Sequence, residues 1–523
     1  MIPSILLLRR EPFRSGLTEA SYDPRLLLTK DGVLPSAPEG VFADVLEFNA
    51  SIVHEWSHWF QHQATTCGAF LDALRFSQEI TAIRWLRDLP RAKVRAMLDA
   101  RDRGRPILAF EPASQQPILD PGDDQALNLF KQIWFDHQWV HAAFEDDIAF
   151  ATPGPPPSQV FGEIFADVIL SLCGEARFVS PNAEQIHSNI AELRTWYAFP
   201  GETPYIAYDG LSVTTRMIME TAATVAELDL LPETIWLKVL NGFQDTYWRR
   251  RIDRLLRGRY GTPFCAFLEA QKTPLDGLAD LLPSLALVCF AALNPPVPPL
   301  VMAPPLTNRS YRWGDIYPPI RFMRLSAAVT RVGLARRWIS IEQLSQYLLD
   351  LCDAAGLAPV WRLPYPSRLP GWGTVDFGDT NLAYSEETKA TRHDYAFWVQ
   401  AKLHSEISSR LPLFACLGQC FSGEYVQQYY PVLISDHDEL EQVPYLKCPL
   451  YWTDTDKFGF ACRSDFGNWL VRVGLMSEVI FDTVVGTGNY DFSRVPPQAE
   501  KSQSLREVLR ASVEHNILNV ANS

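Results

Sequence analysis

The stretch Ser51-Ile52-Val53-His54-Glu55-Trp56-Ser57-His58-Trp59-Phe60 decides how the rest of the chain is read. Its apolar and aromatic residues recur at helical spacing, and no proline or glycine interrupts it. Four residues along an α-helix return to nearly the same face, about 40° away. His54 and His58 can therefore aim two imidazole nitrogens at one cation. Glu55 follows the first histidine directly, so it projects beside such an ion rather than onto it. There a carboxylate can take a proton from a metal-activated water and hand it to a leaving amine. The flanking Val53, Trp56, Ser57, Trp59 and Phe60 carry no charge, as expected of a helix buried beneath a cleft.

A catalytic zinc site takes three protein ligands and leaves a fourth position open. His62 is the nearest third donor, but eight residues on it lies about 80° round the helix from His54. A further Gly and His, three and six residues after His58, would complete a metzincin; Gln61 and Ala64 stand there instead. The better candidate is Glu220, in Met217-Ile218-Met219-Glu220-Thr221-Ala222-Ala223-Thr224-Val225-Ala226-Glu227. It is a lone carboxylate among apolar and small residues, and burying it unpaired is costly. Ala222 and Ala223 would let this helix come close to the first. Glu163 and Glu145 are rival third ligands. Glu227, two turns beyond Glu220, is placed either behind a ligating histidine or in an exposed salt bridge, and the salt bridge is the expectation. Tyr205, Tyr208 and His187 are candidates for steadying an oxyanion.

The His-Glu-x-x-His spacing, followed by a helix in which Glu220 precedes Ala223 by three residues, resembles the zincin metallopeptidases, and within them the gluzincin-like members. The resemblance covers these two helices alone. It implies Zn2+ held by His54, His58 and Glu220, and hydrolysis of peptide bonds with Glu55 as general base. A zincin-like helical core acting on a protein or peptide substrate is the expectation set beside it, since two helices alone do not carry fold details or substrate.

Other constellations compete. Glu55/His58 and Glu184/His187 are both Glu-x-x-His pairs, and with Glu145 and Glu220 they would make a di-iron carboxylate oxidoreductase. That reading leaves His54 without a role, and His187 would stand in a helix barely begun after Pro181. His137 and His141 repeat the four-residue histidine spacing without a following glutamate, so they read as surface or core residues. Cys416, Cys420, Cys448 and Cys462 read as core cysteines rather than a zinc ribbon. A non-catalytic scaffold or binding protein with a structural or relic metal site is the remaining alternative. Glu55 argues against it, since a structural site has no use for that carboxylate.

Composition frames these readings. The chain has 523 residues, 47% of them apolar, so two or three domains are expected. With 47 Lys plus Arg against 61 Asp plus Glu, the net charge of −14 disfavours nucleic acid and anionic membranes as partners. Nine scattered cysteines suggest reduced thiols and a cytoplasmic setting. The most apolar stretch, Leu281 to Leu293, is too short to span a bilayer and reads as a core helix.

Proline runs at 152–158 and 294–306 mark a loop and a linker. The expected organisation is a helical metallopeptidase-like region over 1–293, the linker 294–306, and a substrate-binding or regulatory domain over 307–523 that contains both helices and strands. A regulatory protein partner is a further expectation. Helices are expected over Phe42–His62, Gly68–Leu86, Asp124–Phe144, Ser158–Leu172, Leu211–Leu230, Ser340–Ala354 and Thr391–Ser409, and a strand over Tyr425–Ile434. The fold class is therefore mainly α, α+β overall.

Overall fold

The computed structural model describes residues 13–14, 21–23, 28–30, 53–62, 65–102, 125–145, 164, 168, 206–208, 211–229, 252–253, 255–272, 278–295, 313–335, 341–357, 450–452 and 458–459. These are mostly helical. Helix α1 covers 53–62. It is followed by α2 (Thr66–Asp88), α3 (Arg91–Asp102), α4 (Gln125–Glu145) and α5 (Thr215–Asp229). Then come α6 (Thr262–Gln271), α7 (Leu278–Ala292), α8 (Trp313–Ile316), α9 (Pro318–Val332) and α10 (Ile341–Ala355).

The strands are short. β1 (Phe13–Arg14), β2 (Ser21–Asp23) and β3 (Leu28–Lys30) pair antiparallel, and β3 lies parallel to β6 (Leu450–Trp452), which pairs with β7 (Phe458–Gly459). This sheet joins residues near the start of the chain to residues far along it. β4 (Ile206–Tyr208) and β5 (Leu211–Val213) form a separate antiparallel pair.

Where α5 begins differs from the sequence expectation. Tyr208 stands opposite Leu211, so the residues on either side of Asp209-Gly210 are paired strands, where the sequence expectation has a helix from Leu211 onward. Asp-Gly is a strong two-residue hairpin signal, and here it outweighs the helical spacing that follows. The start signal is Thr214, whose hydroxyl accepts from the Met217 N–H at 3.1 Å. At α9, Pro318 and Pro319 open the helix. The first-turn N–H groups have no helical partner in any case, so proline costs nothing there. Pro283, by contrast, lies inside α7 beyond its first turn, where proline removes a helical hydrogen bond. The expected helix over 158–172 is described only at residues 164 and 168, both helical. Thr391–Ser409 and Tyr425–Ile434 lie outside the described residues.

The core gathers around α7, almost every residue of which is buried from Leu281 to Leu293. α7 packs against α5 and α9, α9 against α6 and α10, and α2 against α4. Trp85 of α2 stacks on Phe130 of α4 with centroids 3.9 Å apart. Two sets of hydrogen bonds hold α1 in register with this core. Thr65 caps α2, accepting from the Gly68 N–H at 3.0 Å, while its own hydroxyl donates to the Gln61 carbonyl. At the far end of α7, the Cys67 N–H reaches the Leu293 carbonyl at 3.1 Å and Thr66 reaches Asn294 and Pro295. Gly68 sits so close to the end of α1 that a Cβ there would collide with the carbonyl oxygens of Gln61 and His62. Arg321 of α9, fully buried, donates to the carbonyls of Asp315, Ala291 and Asn294. It thereby caps α7 from a residue beyond the proline-rich run.

Among the described residues no helix is long and apolar enough to cross a membrane.

Candidate metal centre

On α1, Val53, Trp59 and Phe60 anchor the helix in the core, and the Ser57 hydroxyl bonds back to the Val53 carbonyl at 2.7 Å. That leaves His54, Glu55 and His58 as chemical groups held in an apolar setting, each no more than 1% exposed. The two imidazoles meet edge to face, with centroids 4.8 Å apart and planes at 82°. Their Nε2 atoms are 3.2 Å apart. α5 brings Glu220 to the same point: its Oε2 lies 3.5 Å from His54 Nε2 and 3.8 Å from His58 Nε2.

These three separations can be tested against a metal. An ion with tetrahedral bonds of about 2.1 Å holds its ligand atoms about 3.4 Å apart. The triangle of 3.2, 3.5 and 3.8 Å brackets that value. It is also the one group of three or more His, Cys, Asp or Glu residues, among those described, whose ligand atoms gather closely enough to hold an ion. The donor set of two imidazoles and one carboxylate suits a divalent transition metal such as zinc or iron.

Both histidines are held from behind. His54 Nδ1 lies 3.2 Å from Glu227 Oε2, and Glu227 is fully buried. The expected exposed salt bridge at Glu227 is thus corrected. Two turns separate it from Glu220, so both carboxylates share the face of α5 that meets α1. His58 Nδ1 lies 3.0 Å from Gln61 Oε1, and Gln61 Nε2 donates to the Met219 carbonyl at 2.9 Å. Sequence reasoning missed Gln61 as a partner. Its signal was the three-residue spacing from His58, which puts the two side chains on neighbouring positions of one face.

Packing these groups together moves their protonation. Burial works to lower the His54 pKa, but the Glu227 charge and hydrogen bonds to Glu220 and Glu227 outweigh it and raise it to about 9. Burial dominates at His58 and takes it down to about 3. At Glu220 burial works upward, yet the hydrogen bond from His54, the charges of both histidines and the Arg216 charge hold it at about 2. In the metal-free chain, then, one proton on His54 supplies the positive charge among the carboxylates, at the place a cation would take.

Glu55 lies fully buried beside His54, and its charge acts on that ring. His62 is buried too but is not one of the three gathered donors. Glu163, Glu184, His187 and Tyr205 lie outside the described residues, as do the four cysteines of the zinc-ribbon alternative. Glu145 and Tyr208 close α4 and β4. His137 is a core residue: Nδ1 meets the Ile133 carbonyl at 2.9 Å and Nε2 meets Ser77 Oγ at 3.2 Å. Cys67, Cys265, Cys289 and Cys352 are thiols.

Comparison of the chain with protein-family models, with curated proteins and with solved structures finds no match to any of them.

Proposed function

We propose that the chain is a zinc-dependent metallopeptidase, with a zincin-like helical core and Glu55 as general base. The observation that carries this reading is the spacing of His54 Nε2, His58 Nε2 and Glu220 Oε2 at 3.2, 3.5 and 3.8 Å. Among the described residues two helices supply three protein donors, the pattern of a site that keeps a position for chemistry rather than a closed structural site. Bound there, zinc would supply Lewis acidity, polarising a carbonyl and making water acidic enough to lose a proton near neutral pH.

The chain's own residues do the rest. Glu55 sits next to His54 in the sequence and cannot replace it as a ligand on the same helix. Its carboxylate accepts the proton that water gives up and returns it to the departing amine nitrogen. Glu227 holds His54 and Gln61 holds His58, so neither ring need reorient as substrate arrives. The deep burial of all four groups excludes bulk water, which strengthens every charge interaction among them.

The proposed substrate is a protein or peptide, and the proposed setting is the cytoplasm, an expectation that rests on the nine scattered cysteines of the sequence. The stretch 307–523 is proposed to bind substrate or a regulatory protein partner, since an ungated peptidase would threaten its own cell.

Glu55→Gln separates this function from mere metal binding. Purified wild-type protein should carry one zinc per chain and cleave peptide substrates. The variant should keep its zinc and lose hydrolysis by about 100- to 10,000-fold. Unchanged hydrolysis in Glu55→Gln sinks the assignment of the base, and a wild-type chain that binds no zinc sinks the metallopeptidase.

A further inference from the structure

The two ligand-bearing helices are joined by one side chain that reaches both. Gln61 leaves α1 one turn after His58, places Oε1 3.0 Å from His58 Nδ1 and directs Nε2 to the Met219 carbonyl at 2.9 Å. Met219 immediately precedes Glu220. All of Gln61, His58 and Met219 are buried, so these contacts are not shared with solvent.

We infer that Gln61 is a positioning residue that dictates which nitrogen of His58 faces the cluster, and that it takes this instruction from the backbone of α5. The argument is one of donors and acceptors. A backbone carbonyl can only accept a hydrogen bond. The Gln61 atom facing Met219 must therefore be the amide nitrogen, which fixes the amide's orientation and leaves Oε1 facing His58. Oε1 can only accept, so His58 Nδ1 must carry the hydrogen. A neutral imidazole has one N–H and one lone pair, so Nε2 is left with the lone pair, and Nε2 is the atom beside His54 Nε2 and Glu220 Oε2. Each link leaves one choice. The chain of choices starts at the peptide group that precedes the third donor.

The consequence is that docking α5 and preparing His58 are one event. When Glu220 arrives, the Met219 carbonyl arrives with it, the amide is turned and the ring presents its lone pair inward. His54 is prepared differently, by the carboxylate of Glu227, which holds the charged ring more tightly than the neutral one. Gln61 is uncharged, and its acceptor oxygen selects, between the two neutral forms of His58, the one that keeps its lone pair on Nε2.

This inference rests on the metal reading for its purpose but not for its test. The ring of His58 can be read in metal-free protein by two-bond proton–nitrogen spectra after selective 15N-histidine labelling, and zinc affinity by chelator competition. Wild type should show hydrogen on Nδ1 of His58. Gln61→Glu keeps an acceptor for that hydrogen while losing the N–H toward Met219, so it should retain the tautomer. Gln61→Leu removes both bonds; it should lose the tautomer preference and weaken zinc by about 10- to 100-fold, the usual cost of deleting a group that orients a ligand. A purely space-filling Gln61 predicts no change in the His58 ring in either variant, and that result overturns the inference. Should Gln61→Leu fail to fold, Gln61→Met, which also removes the amide acceptor and donor from a side chain of similar length, takes its place: an unchanged preference for hydrogen on Nδ1 of His58 overturns the inference. If no form binds zinc but the tautomer follows Gln61 as described, this inference stands and the metallopeptidase reading falls.

Discussion

Two pairs of histidines share one spacing in this chain and meet different fates. His54 and His58 on α1 stand four residues apart, as do His137 and His141 on α4. His54 and His58 turn their Nε2 atoms toward Glu220. His137 spends its ring on the Ile133 carbonyl of its own helix and on Ser77 of α2. By the rule that a carbonyl only accepts, His137 Nδ1 donates and Nε2 accepts from the serine, so no lone pair remains for an ion. Helix periodicity decides which face a ring occupies. What the opposite helix presents decides what the ring becomes: α5 offers two carboxylates two turns apart, and α2 offers a hydroxyl.

The sharpest way to break this comparison is to delete one ring from each pair. His54→Ala should weaken zinc binding by more than the about 10- to 100-fold expected for losing a group behind a ligand, whereas His137→Ala should leave zinc unchanged. Chelator competition on folded protein, checked by circular dichroism, measures both. Equal zinc affinity in His54→Ala and wild type, or a loss in His137→Ala, would mean the two pairs have been assigned to the wrong roles.

The same contrast shows what could be read from the sequence. His54, Glu55 and His58 were legible because their relation is local, and α-helical geometry fixes it wherever the helix lies. Glu220 was legible through its surroundings, a single carboxylate among alanines, threonines and methionines. Glu227 was identified but assigned to the surface, since nothing along the chain says which face of α5 meets α1. Gln61 was passed over because an amide acquires a role only from its two partners, and one of them, the Met219 carbonyl, lies 158 residues away. The mainly helical class followed from apolar spacing. Starts of elements were less legible: Asp209-Gly210 suits a helix start or a hairpin, and only the pairing of Tyr208 with Leu211 chooses between them.

A second prediction uses the proton that stands in for a cation at the first pair. His54 holds its proton up to about 9, while His58 and Glu220 have lost theirs above about 3 and about 2. Between pH 5 and 8, zinc must therefore displace one proton, and it comes from His54. The sign follows: raising the pH removes the competitor, so apparent affinity should climb about tenfold per pH unit and level off above pH 9. Titration calorimetry at pH 6 in buffers of different ionisation enthalpy counts the released proton. Affinity that is flat between pH 6 and 8 would show that His54 is already neutral and that Glu227 does not hold its charge.

The smallest expected effect belongs to the second pair. Ser77→Ala removes the hydroxyl that meets His137 Nε2 and leaves that nitrogen without its donor. Ser77 is only partly buried, so water can replace part of the lost bond, and urea unfolding should report a loss of about 1 kcal/mol. Zinc stoichiometry should not move. The variant frees the one lone pair on His137, but α2 offers no carboxylate at position 77 to share an ion with it, and a single imidazole is a poor zinc site. A second equivalent of tightly bound zinc in Ser77→Ala would reverse the lesson of the two pairs, because it would make the serine a guard over a latent metal site instead of an ordinary core partner.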